Sequence, residues 1–373
     1  MKKILLFLLM LSCMTLVACT GNTNTEKYTL PDVSGKTLVE AIVEVNMEVT
    51  LNPVYVPTNE ALPGKVLGYG NTLKAGDKVD SGSSIDVRIA AKPENAISRD
   101  DRVEYVSEVC KITGPDSYND EVLREAGVQG TDLGIPVKVG DKMILLFGDT
   151  FSVASPSGPG WKSNFITTVD DNIYWDNLKV TPIVNDFNGA VLPFYEGKHN
   201  SGNADDNSVE VTKIPTGGIT IGDTVYVFYM SIRYWGVAGS WLVNYNGCVK
   251  SNINDLHNWE EVKELTWTEA EAPNFGQIYP YEDPNSEYIY IYGIPGGRNG
   301  GCVVGRTTKE NFLNKAEYEY LVAEGKWEKG AKGLEALLAN PYYCCGPTVS
   351  EMSITYNEYL GKYMMPFYRN GKI

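Results

Sequence analysis

The sequence is poor in the residues on which many metal sites and hydrolytic triads depend. It has two histidines, His199 and His257, and its seven cysteines contain no Cys-x-x-Cys spacing. A histidine-based metal centre or a Ser-His-Asp triad is therefore hard to build, and the cysteine spacing argues against zinc. We expect no metal and no other cofactor.

The cysteines do not form an obvious disulfide framework either. Cys13 lies in the N-terminal apolar segment and Cys19 directly follows it, which leaves an odd number for the folded chain. A disulfide between neighbouring cysteines would be strained. We therefore interpret the other five as mostly buried apolar side chains. They are Cys110, Cys248, Cys302, Cys344 and Cys345.

Positive charge is scarce. The chain has 32 Lys and Arg against 47 Asp and Glu, a net charge of −15. This balance argues against nucleic acid and other polyanions as partners. Apolar residues make up 43% of the 373 residues, which is ample for a core, and the 24 Tyr and 7 Trp suit both β-sheets and stacking on sugar rings.

Only the N-terminus carries a long apolar run, and that run is too short for a comfortable membrane span. Lys2 and Lys3 precede the apolar stretch Ile4–Leu11, as in a signal peptide over residues 1–18. The stretch ends in Leu-Val-Ala-Cys at Leu16–Cys19, which resembles the lipobox of bacterial lipoproteins. The resemblance implies lipidation of Cys19, with an ordinary secretory signal as the alternative.

Residues 19–26 are polar and are expected to form a tether. The mature chain is therefore expected to be exported and lipid-anchored to the bacterial membrane, facing outward.

Residues 27–92 are expected to fold as a separate small α+β domain, followed by a linker at 93–101. An amphipathic helix is predicted at Lys36–Asn46, with strands near Val49–Val54, Lys65–Leu67 and Ile85–Ala90. The segments LPDVSGKTLVEA and LKAGDKVDSGSSIDVRIA resemble the PASTA domain. That family implies a βαβββ module often linked to peptidoglycan contact, although one copy alone more often acts as a spacer.

From Arg102 onward the sequence is typical of a mainly β domain built from repeated hairpins. Two apolar runs flank the turn signal Gly140–Asp141, and the pattern recurs around Gly222–Asp223, in Phe275–Tyr292 and in Met352–Tyr368. Repeated four-stranded units predict a β-propeller over residues 102–373, with a stacked β-sandwich as the alternative.

Few segments of this domain depart from the strand pattern. Helices are predicted only at Lys315–Glu324 and Lys332–Leu338, both between blades. The strand predicted at Arg102–Thr113 is a candidate to complete the last blade. Asn200–Asn207 is acidic, but its carboxylates are too few and too closely spaced for a Ca²⁺ loop, so a flexible loop is predicted.

The first hairpin, Gly130–Phe151, places two acidic residues across from each other. With a two-residue turn, Asp132 falls opposite Asp149 in the closer, non-hydrogen-bonded kind of pair, roughly 4.5 Å apart at Cα. Like charges in this position are destabilising, and they raise the pKa of one member. The pair therefore indicates a functional site, with capping of its own turn by each Asp as the alternative.

In a propeller the first strand of each blade lines the axis. Pro136 supports this placement of the first hairpin, because its missing N–H would face away from the partner strand. Starts of first strands and ends of second strands then meet at one mouth. The residues expected there are Asp132, Asp149, Thr216, Gln277, Arg298 and Glu351, with Trp161, Asn164 and Trp235 as walls and Arg369 at the fringe.

A specific resemblance covers residues 102–373. Its motifs occur in order: GTDLG (130–134), LFGDTF (146–151), WKSNF (161–165), VEVTKIPTGGI (209–219), YMSIRYWG (229–236), YGIPGGR (292–298), AEYEYL (316–321) and SEMSITYNEYLGKYMM (350–365). Together they resemble a bacterial family catalogued as a domain of unknown function, some members of which are endo-D-arabinanases. The resemblance implies a five-bladed propeller and glycoside hydrolase activity on cell-wall arabinan.

The family normally continues with another group of strands beyond the point where this sequence stops, at Ile373. We therefore expect a C-terminally incomplete propeller, unless the ring closes differently.

Hydrolysis of a glycosidic bond needs two carboxyl groups, one acid and one base or nucleophile. Our hypothesis makes Glu351 the general acid and Asp132 the base or nucleophile, with Asp149 orienting Asp132. Arg298 would bind substrate hydroxyls or hold a carboxylate ionised. The alternative for Glu351 is an ion pair with Arg369.

The remaining candidates would bind substrate. Trp161 and Trp235 would stack on sugar faces, unless both pack between blades, and Asn164, Thr216 and Gln277 would contact hydroxyls. Glu210 is a second-tier carboxylate.

Two function classes stay open. One is a cell-surface glycosidase that cleaves an extracellular polysaccharide, and the other is a non-catalytic carbohydrate- or cell-wall-binding lipoprotein. The geometry of Asp132 and Glu351 distinguishes them, because a glycosidase needs both carboxyl groups at one open cleft.

Overall fold

The computed structural model describes residues 27–91 and 110–367, apart from 47, 59–60, 62–63, 71, 155–157, 170–177, 186 and 359. The predicted signal peptide, Cys19, the linker and Arg369 lie outside the described residues. The described residues divide into two compact units, chiefly within 27–91 and 110–357. Within the described ranges, no helix has the length and apolar character needed to span a bilayer.

The described residues of the small unit form one helix and five strands. Its elements are β1 (Lys27–Thr29), α1 (Leu38–Val45), β2 (Thr50–Pro57), β3 (Val66–Tyr69), β4 (Lys78–Asp80) and β5 (Ser84–Ala91). Strand β5 lies between β2 and β3, parallel to β2 and antiparallel to β3, and β1 pairs with β4. The predicted α+β composition is present, and the PASTA assignment remains a prediction.

Helix α1 begins at a capping box. The Thr37 hydroxyl accepts a hydrogen bond from the Glu40 backbone N–H at 3.2 Å, and the Glu40 carboxylate accepts one from the Thr37 N–H at 2.7 Å. Asn46 ends the helix in the left-handed conformation, with φ 49°. The apolar face buries Ala41 and Val45 against the sheet, which confirms the amphipathic helix predicted from the sequence.

The large unit is mainly β, as predicted. It contains three consecutive antiparallel sheets and a short hairpin. The first sheet is β6 (Gly130–Val139), β7 (Lys142–Phe151), β8 (Phe165–Val169) and β9 (Val180–Pro182). The second is β10 (Thr212–Ile221), β11 (Thr224–Tyr234), β12 (Leu242–Asn252) and β13 (Asp255–Glu261), with β14 (Trp267–Thr268) on β12.

The third sheet has six strands. They are β15 (Gln277–Glu282), β16 (Tyr288–Ile294), β17 (Gly300–Thr308), β18 (Glu319–Ala323) and β19 (Lys326–Lys329), with β20 (Cys345–Val349) on β17. The hairpin consists of β21 (Thr355–Asn357) and β22 (Lys362–Met364). The first three predicted hairpins are therefore present as β6–β7, β10–β11 and β15–β16, and the fourth has only short strands. The number of blades stays a prediction.

The first strands of the three sheets lie side by side, with β10 between β6 and β15. Two glycines of β10 allow this close approach. A Cβ on Gly217 would lie 2.7 Å from Pro280 Cδ, and one on Gly218 would lie 2.8 Å from Val137 Cγ2. Each first strand is an edge of its own sheet and carries a proline, namely Pro136, Pro215 or Pro280. Proline is tolerated there because an edge position need not donate to a neighbouring strand.

The helix predictions for the large unit are partly wrong. Residues Gly330–Ala339 form helix α3, as predicted for Lys332–Leu338, but Lys315–Glu324 forms only a 3₁₀ turn at Lys315–Glu317 before strand β18. Tyr318 and Tyr320, spaced by two, are fully buried in the core, and this alternating burial overrides the local helix propensity. A short helix α2 (Asp120–Glu125) was not predicted.

Candidate functional site

A cavity of about 370 Å³ opens where the first strands of the three sheets begin. Most of its wall is apolar, from residues such as Ile135, Ile214, Met230 and Trp241. Six of the nine predicted catalytic or substrate-binding residues line it. They are Asp132, Thr216, Trp235, Gln277, Arg298 and Glu351. Asp132 and Glu351 therefore face one cavity rather than separate packed cores.

Asp132 reaches the cavity because strand β6 is distorted around it. The two-residue turn forms as predicted, and the predicted register holds as far as Ile135 opposite Leu146. The register then shifts on both sides of Leu133, and Leu133 and Gly134 have φ of 66° and 119°. A positive φ at leucine is unfavourable, and such strain is concentrated at functional sites.

These bulges correct the predicted Asp132–Asp149 pair. Thr131 lies opposite Thr150 and Leu133 opposite Phe147, so neither aspartate has a direct partner across the strands. The Asp132 carboxylate instead lies over Gly148, where a Cβ would be 2.4 Å from Oδ1. Only glycine at 148 leaves room for the carboxylate in this position.

Asp132 is accessible from the cavity, yet protein surrounds its carboxyl group on most sides. This desolvation, together with the negative charges of Asp149 and Glu351, raises the pKa of Asp132 to about 6, against an opposing effect from Arg298. The expected electrostatic coupling of the two aspartates is therefore present, although burial is the larger cause.

Asp149 lies beside Asp132 near the end of β7 and is itself half-buried. Its Oδ1 accepts hydrogen bonds from the Thr212 hydroxyl at 2.6 Å and from the Trp161 indole N–H at 2.9 Å. Burial raises the pKa of Asp149 to about 6, and the two hydrogen bonds oppose the rise. Asp149 thus has a fixed orientation and a raised pKa.

Trp161 is held in place by its own neighbours. The ring of His199 meets it edge to face at 4.2 Å between centroids, and His199 Nε2 lies 2.6 Å from Glu196 Oε1. Trp161 does not line the cavity and its indole N–H contacts Asp149, so its stacking on a sugar stays a prediction. The segment WKSNF gave no indication of this contact, since the partner lies on another strand.

Asn164 is fully buried, and its predicted contact with substrate is wrong. Its amide nitrogen donates to the carbonyl oxygens of Tyr195 and Lys213 at 2.8 and 2.9 Å. Its amide oxygen accepts from the N–H groups of Phe194 and Tyr195 at 3.0 and 3.1 Å. The side chain therefore ties the 194–195 segment to β10 and has no group left for a ligand.

Glu351 and Arg298 form a bidentate ion pair in the cavity wall. Arg298 Nε donates to Oε1 and Oε2 at 3.1 and 3.0 Å, and Nη2 donates to Oε1 at 2.7 Å. The guanidinium also lies 5.2 Å from the ring centre of Trp241. Arg369, the alternative partner predicted for Glu351, lies outside the described residues.

The other predicted binding residues differ in what they offer a ligand. Trp235 is 39% exposed and meets Trp241 edge to face at 5.9 Å. The Thr216 hydroxyl donates to the Ile278 carbonyl at 2.7 Å, and the Gln277 amide donates to the carbonyls of Pro295 and Gly297. Trp235 thus presents a free surface, whereas the donors of Thr216 and Gln277 bind backbone.

Glu210, the second-tier candidate, is buried away from the cavity. It accepts a hydrogen bond from the Ser231 hydroxyl at 2.8 Å and lies 3.4 Å from Lys213 Nζ. This arrangement fits a structural ion pair. No group of three or more potential metal ligands occurs in the described ranges, and Asn200–Asn207 contains neither helix nor strand.

The sequence analysis did not identify the residues that hold the site residues in place. Four such residues contact the site or its neighbours, and no motif marks their role. They are Thr212, Glu196, His199 and Trp241. Thr212 is the first residue of β10, within VEVTKIPTGGI. Starts of first strands were predicted to meet at the mouth, so this position could have identified Thr212 as a site residue.

The sequence places the large unit in a known family. The model of the family described as domain of unknown function (DUF4185) matches residues 116–373. The chain therefore belongs to this family. No curated protein matches the chain.

Several solved structures are similar at low identity. A candidate hydrolase from Bacteroides ovatus is 14% identical, with a TM-score of 0.44, over 66% of this chain and 65% of that chain. A β-fructofuranosidase from Bombyx mori, solved with sucrose, is 11% identical with a TM-score of 0.36, over 65% and 45%. A xylan β-1,4-xylosidase from Bacillus halodurans is 11% identical with a TM-score of 0.29, over 66% and 51%.

The chain spans less than two thirds of each of these structures. With TM-scores below 0.5, none of them carries an argument about the chemistry of this chain.

Proposed function

We propose that the large unit is a glycoside hydrolase domain that cleaves an extracellular polysaccharide with Asp132 and Glu351. The observation that carries the proposal is that two carboxyl groups from distant parts of the chain face one cavity in unlike environments. Burial and Asp149 raise the pKa of Asp132 to about 6, while both oxygens of Glu351 accept hydrogen bonds from Arg298.

These environments reverse the roles expected from the sequence. A general acid must hold a proton at the working pH, and Asp132 has the raised pKa that this requires. A guanidinium only donates hydrogen bonds, so its bidentate partner Glu351 acts as the carboxylate. Asp132 is therefore the general acid, and Glu351 is the base or nucleophile. Asp149 keeps the pKa of Asp132 high.

A neutral polysaccharide suits this cavity better than an anionic one. Glu351 already neutralises the charge of Arg298, which leaves that guanidinium little attraction for a substrate carboxylate. The exposed face of Trp235 offers a stacking surface for a sugar ring. Arabinan, implied by the family resemblance, meets both conditions.

We also propose that the protein acts at the outer face of a bacterial membrane. The leader ending at Cys19 supports a lipid anchor there, and the small unit would serve as a spacer or a peptidoglycan contact. Neither role depends on the chemistry of the cavity.

The test is release of sugar by the full-length protein from arabinans and other neutral glycans. Wild type should release reducing ends from at least one, whereas Asp132→Asn and Glu351→Gln should each lose about 10²–10⁴ of that rate. Asp141→Asn, the same change in the exposed turn of the same hairpin, should match wild type. Full activity in Glu351→Gln would exclude the mechanism.

A non-catalytic carbohydrate-binding role is the second candidate. It is favoured by the apolar wall and by the Arg298–Glu351 pair, which would persist without any chemistry. Retention of wild type on a glycan column, with no sugar released from any substrate, would support this role over hydrolysis.

A further inference from the structure

Three cysteines meet where strands β17 and β20 pair. Cys302 of β17 lies opposite Cys345 of β20, and the Cys344 backbone N–H donates to the Cys302 carbonyl at 2.9 Å. Within the described part of the chain, the five cysteines form no disulfide. The pairing brings Cys302 close to two cysteines that follow it by 42 and 43 positions in the sequence.

The backbone hydrogen bond holds Cys344 next to Cys302, and the two thiols differ in accessibility. Cys344 is exposed, whereas Cys302 is fully buried. Their contact lowers the pKa of the Cys344 thiol and, together with burial, raises that of Cys302. An exposed thiol with a lowered pKa beside a buried one has the arrangement of an attacking and a resolving cysteine.

We propose that Cys302 and Cys344 form a reversible disulfide by exchange with a low-molecular-weight disulfide. The Cys344 thiolate attacks one sulfur of the small disulfide, forming a mixed disulfide and releasing one small thiolate. Cys302 gives its proton to that thiolate and attacks the Cys344 sulfur, which expels the second small thiolate; this takes up the proton lost by Cys344. Two protein thiols are oxidised, and one small disulfide becomes two thiols.

This cross-link would act on the wall of the cavity. Arg298 lies two residues before β17, and Glu351 lies two residues after β20. The Cys302 sulfur also lies 3.8 Å from the sulfur of Met352, which lines the cavity. A bond between Cys302 and Cys344 would therefore fix the two segments that carry the Arg298–Glu351 pair. The inference does not depend on whether the cavity is catalytic.

The test uses the reduced full-length protein incubated with oxidised glutathione, alkylated, digested and analysed by mass spectrometry. We expect a peptide containing Cys302 joined to one containing Cys344, lighter by two hydrogen atoms than the pair of thiol peptides. The midpoint of thermal unfolding should rise, and dithiothreitol should reverse both changes. Because the readout is covalent, a negative result is independent of any failure to hydrolyse glycans.

Variants assign the bond. Cys344→Ser should abolish the cross-link, and Cys302→Ala should leave a stable mixed disulfide of Cys344 with glutathione. Cys248→Ser, at a buried cysteine elsewhere in the unit, should cross-link as wild type does. Cys345→Ser should also cross-link. Alkylation of both thiols in oxidised wild type, or a cross-link that survives Cys344→Ser, would overturn the proposal.

Discussion

Arg298 holds both carboxylate oxygens of Glu351, although the two residues are 53 positions apart in the chain. The pair joins the turn before β17 to the segment after β20, and both side chains remain partly accessible in the cavity. A bidentate arginine fixes the plane of a carboxylate as well as its charge. Glu351 is therefore oriented before any substrate arrives, as a base or nucleophile must be.

Replacement of Arg298 should separate orientation from chemistry. In Arg298→Lys the charge remains but the planar fork is lost, so Glu351 should lose its fixed orientation. We expect kcat to fall about tenfold to a hundredfold with a smaller change in KM. Steady-state kinetics on the substrate found for wild type would measure this, with Arg306→Lys, an arginine away from the cavity, as control. An unchanged kcat would leave Arg298 without a positioning role.

The rate should fall as the pH rises through the pKa of Asp132. With a general acid of pKa about 6, activity should decline above pH 6 as Asp132 loses its proton. Asp149→Asn removes a negative charge that raises this pKa, so its decline should begin at lower pH. Profiles of kcat against pH for the two proteins test the shift; coincident profiles would contradict the proposed electrostatic role of Asp149.

Asp132 should also make the free energy of unfolding depend on pH. The pKa of Asp132 is raised in the folded state above its unfolded value near 3.9, so the folded protein binds the proton more tightly. The stabilisation of the folded state by this tighter proton binding is fully present below about pH 4 and is lost as the pH rises through about 6.

Asp132→Asn should therefore unfold at a higher temperature than wild type at pH 8, by about 2–4 °C for roughly 1 kcal/mol. At pH 4 the two proteins should unfold together. Calorimetry at both pH values measures the difference, and equal midpoints at pH 8 would contradict it.

Loss of the Trp161 hydrogen bond should change the titration of Asp149. The indole N–H donates to Oδ1 at 2.9 Å and thereby lowers the pKa of this carboxyl group. In Trp161→Phe we expect the pKa of Asp149 to rise by about one unit, as for the loss of a hydrogen bond to a charged group. Carbon-13 NMR of the aspartate carboxyl groups would follow it.

Trp259→Phe provides the control for that measurement, because its indole donates to the Leu256 carbonyl at 2.8 Å, away from the site. This variant should titrate as wild type does. A rise in the pKa of Asp149 in both variants would indicate a general loosening of the fold rather than the loss of the Trp161 hydrogen bond.

The packing of the inner strands should be sensitive to a single methyl group. Gly217→Ala would place a Cβ 2.7 Å from Pro280 and 3.0 Å from the Tyr279 ring. Overpacking of this kind destabilises proteins by about 1–3 kcal/mol. Urea unfolding should show a lower midpoint, and an unchanged midpoint would mean that β10 and β15 are free to move apart.

Alternation and turn signals predicted the hairpins well, because both are local properties of the chain. The turn Gly140–Asp141 fixed the register as far as Ile135, and the cavity does bring Asp132 and Glu351 together. The bulge at Leu133 has no comparable local signal except Gly134, so the direct opposition of Asp132 and Asp149 was wrong. The helix predicted at 315–324 was wrong for a similar reason, since burial of Tyr318 and Tyr320 decided the conformation of this segment.

The partners of each site residue were beyond sequence reasoning. The contact of the Trp161 indole N–H with Asp149 was not predicted, and Asn164, predicted to meet substrate, instead binds four backbone groups. Such contacts are hard to predict because a tryptophan or an asparagine near a site suits packing and hydrogen bonding as well as it suits ligands. Only the tertiary contacts distinguish these uses.

The prolines on the three inner strands have a consequence for self-association. An exposed strand edge recruits further strands, from other molecules as readily as from the same chain. Pro136 is exposed and removes a donor from such an edge, whereas Pro215 and Pro280 are buried. Strand β6, which borders the cavity, is thereby a poor template for cross-molecule sheet growth.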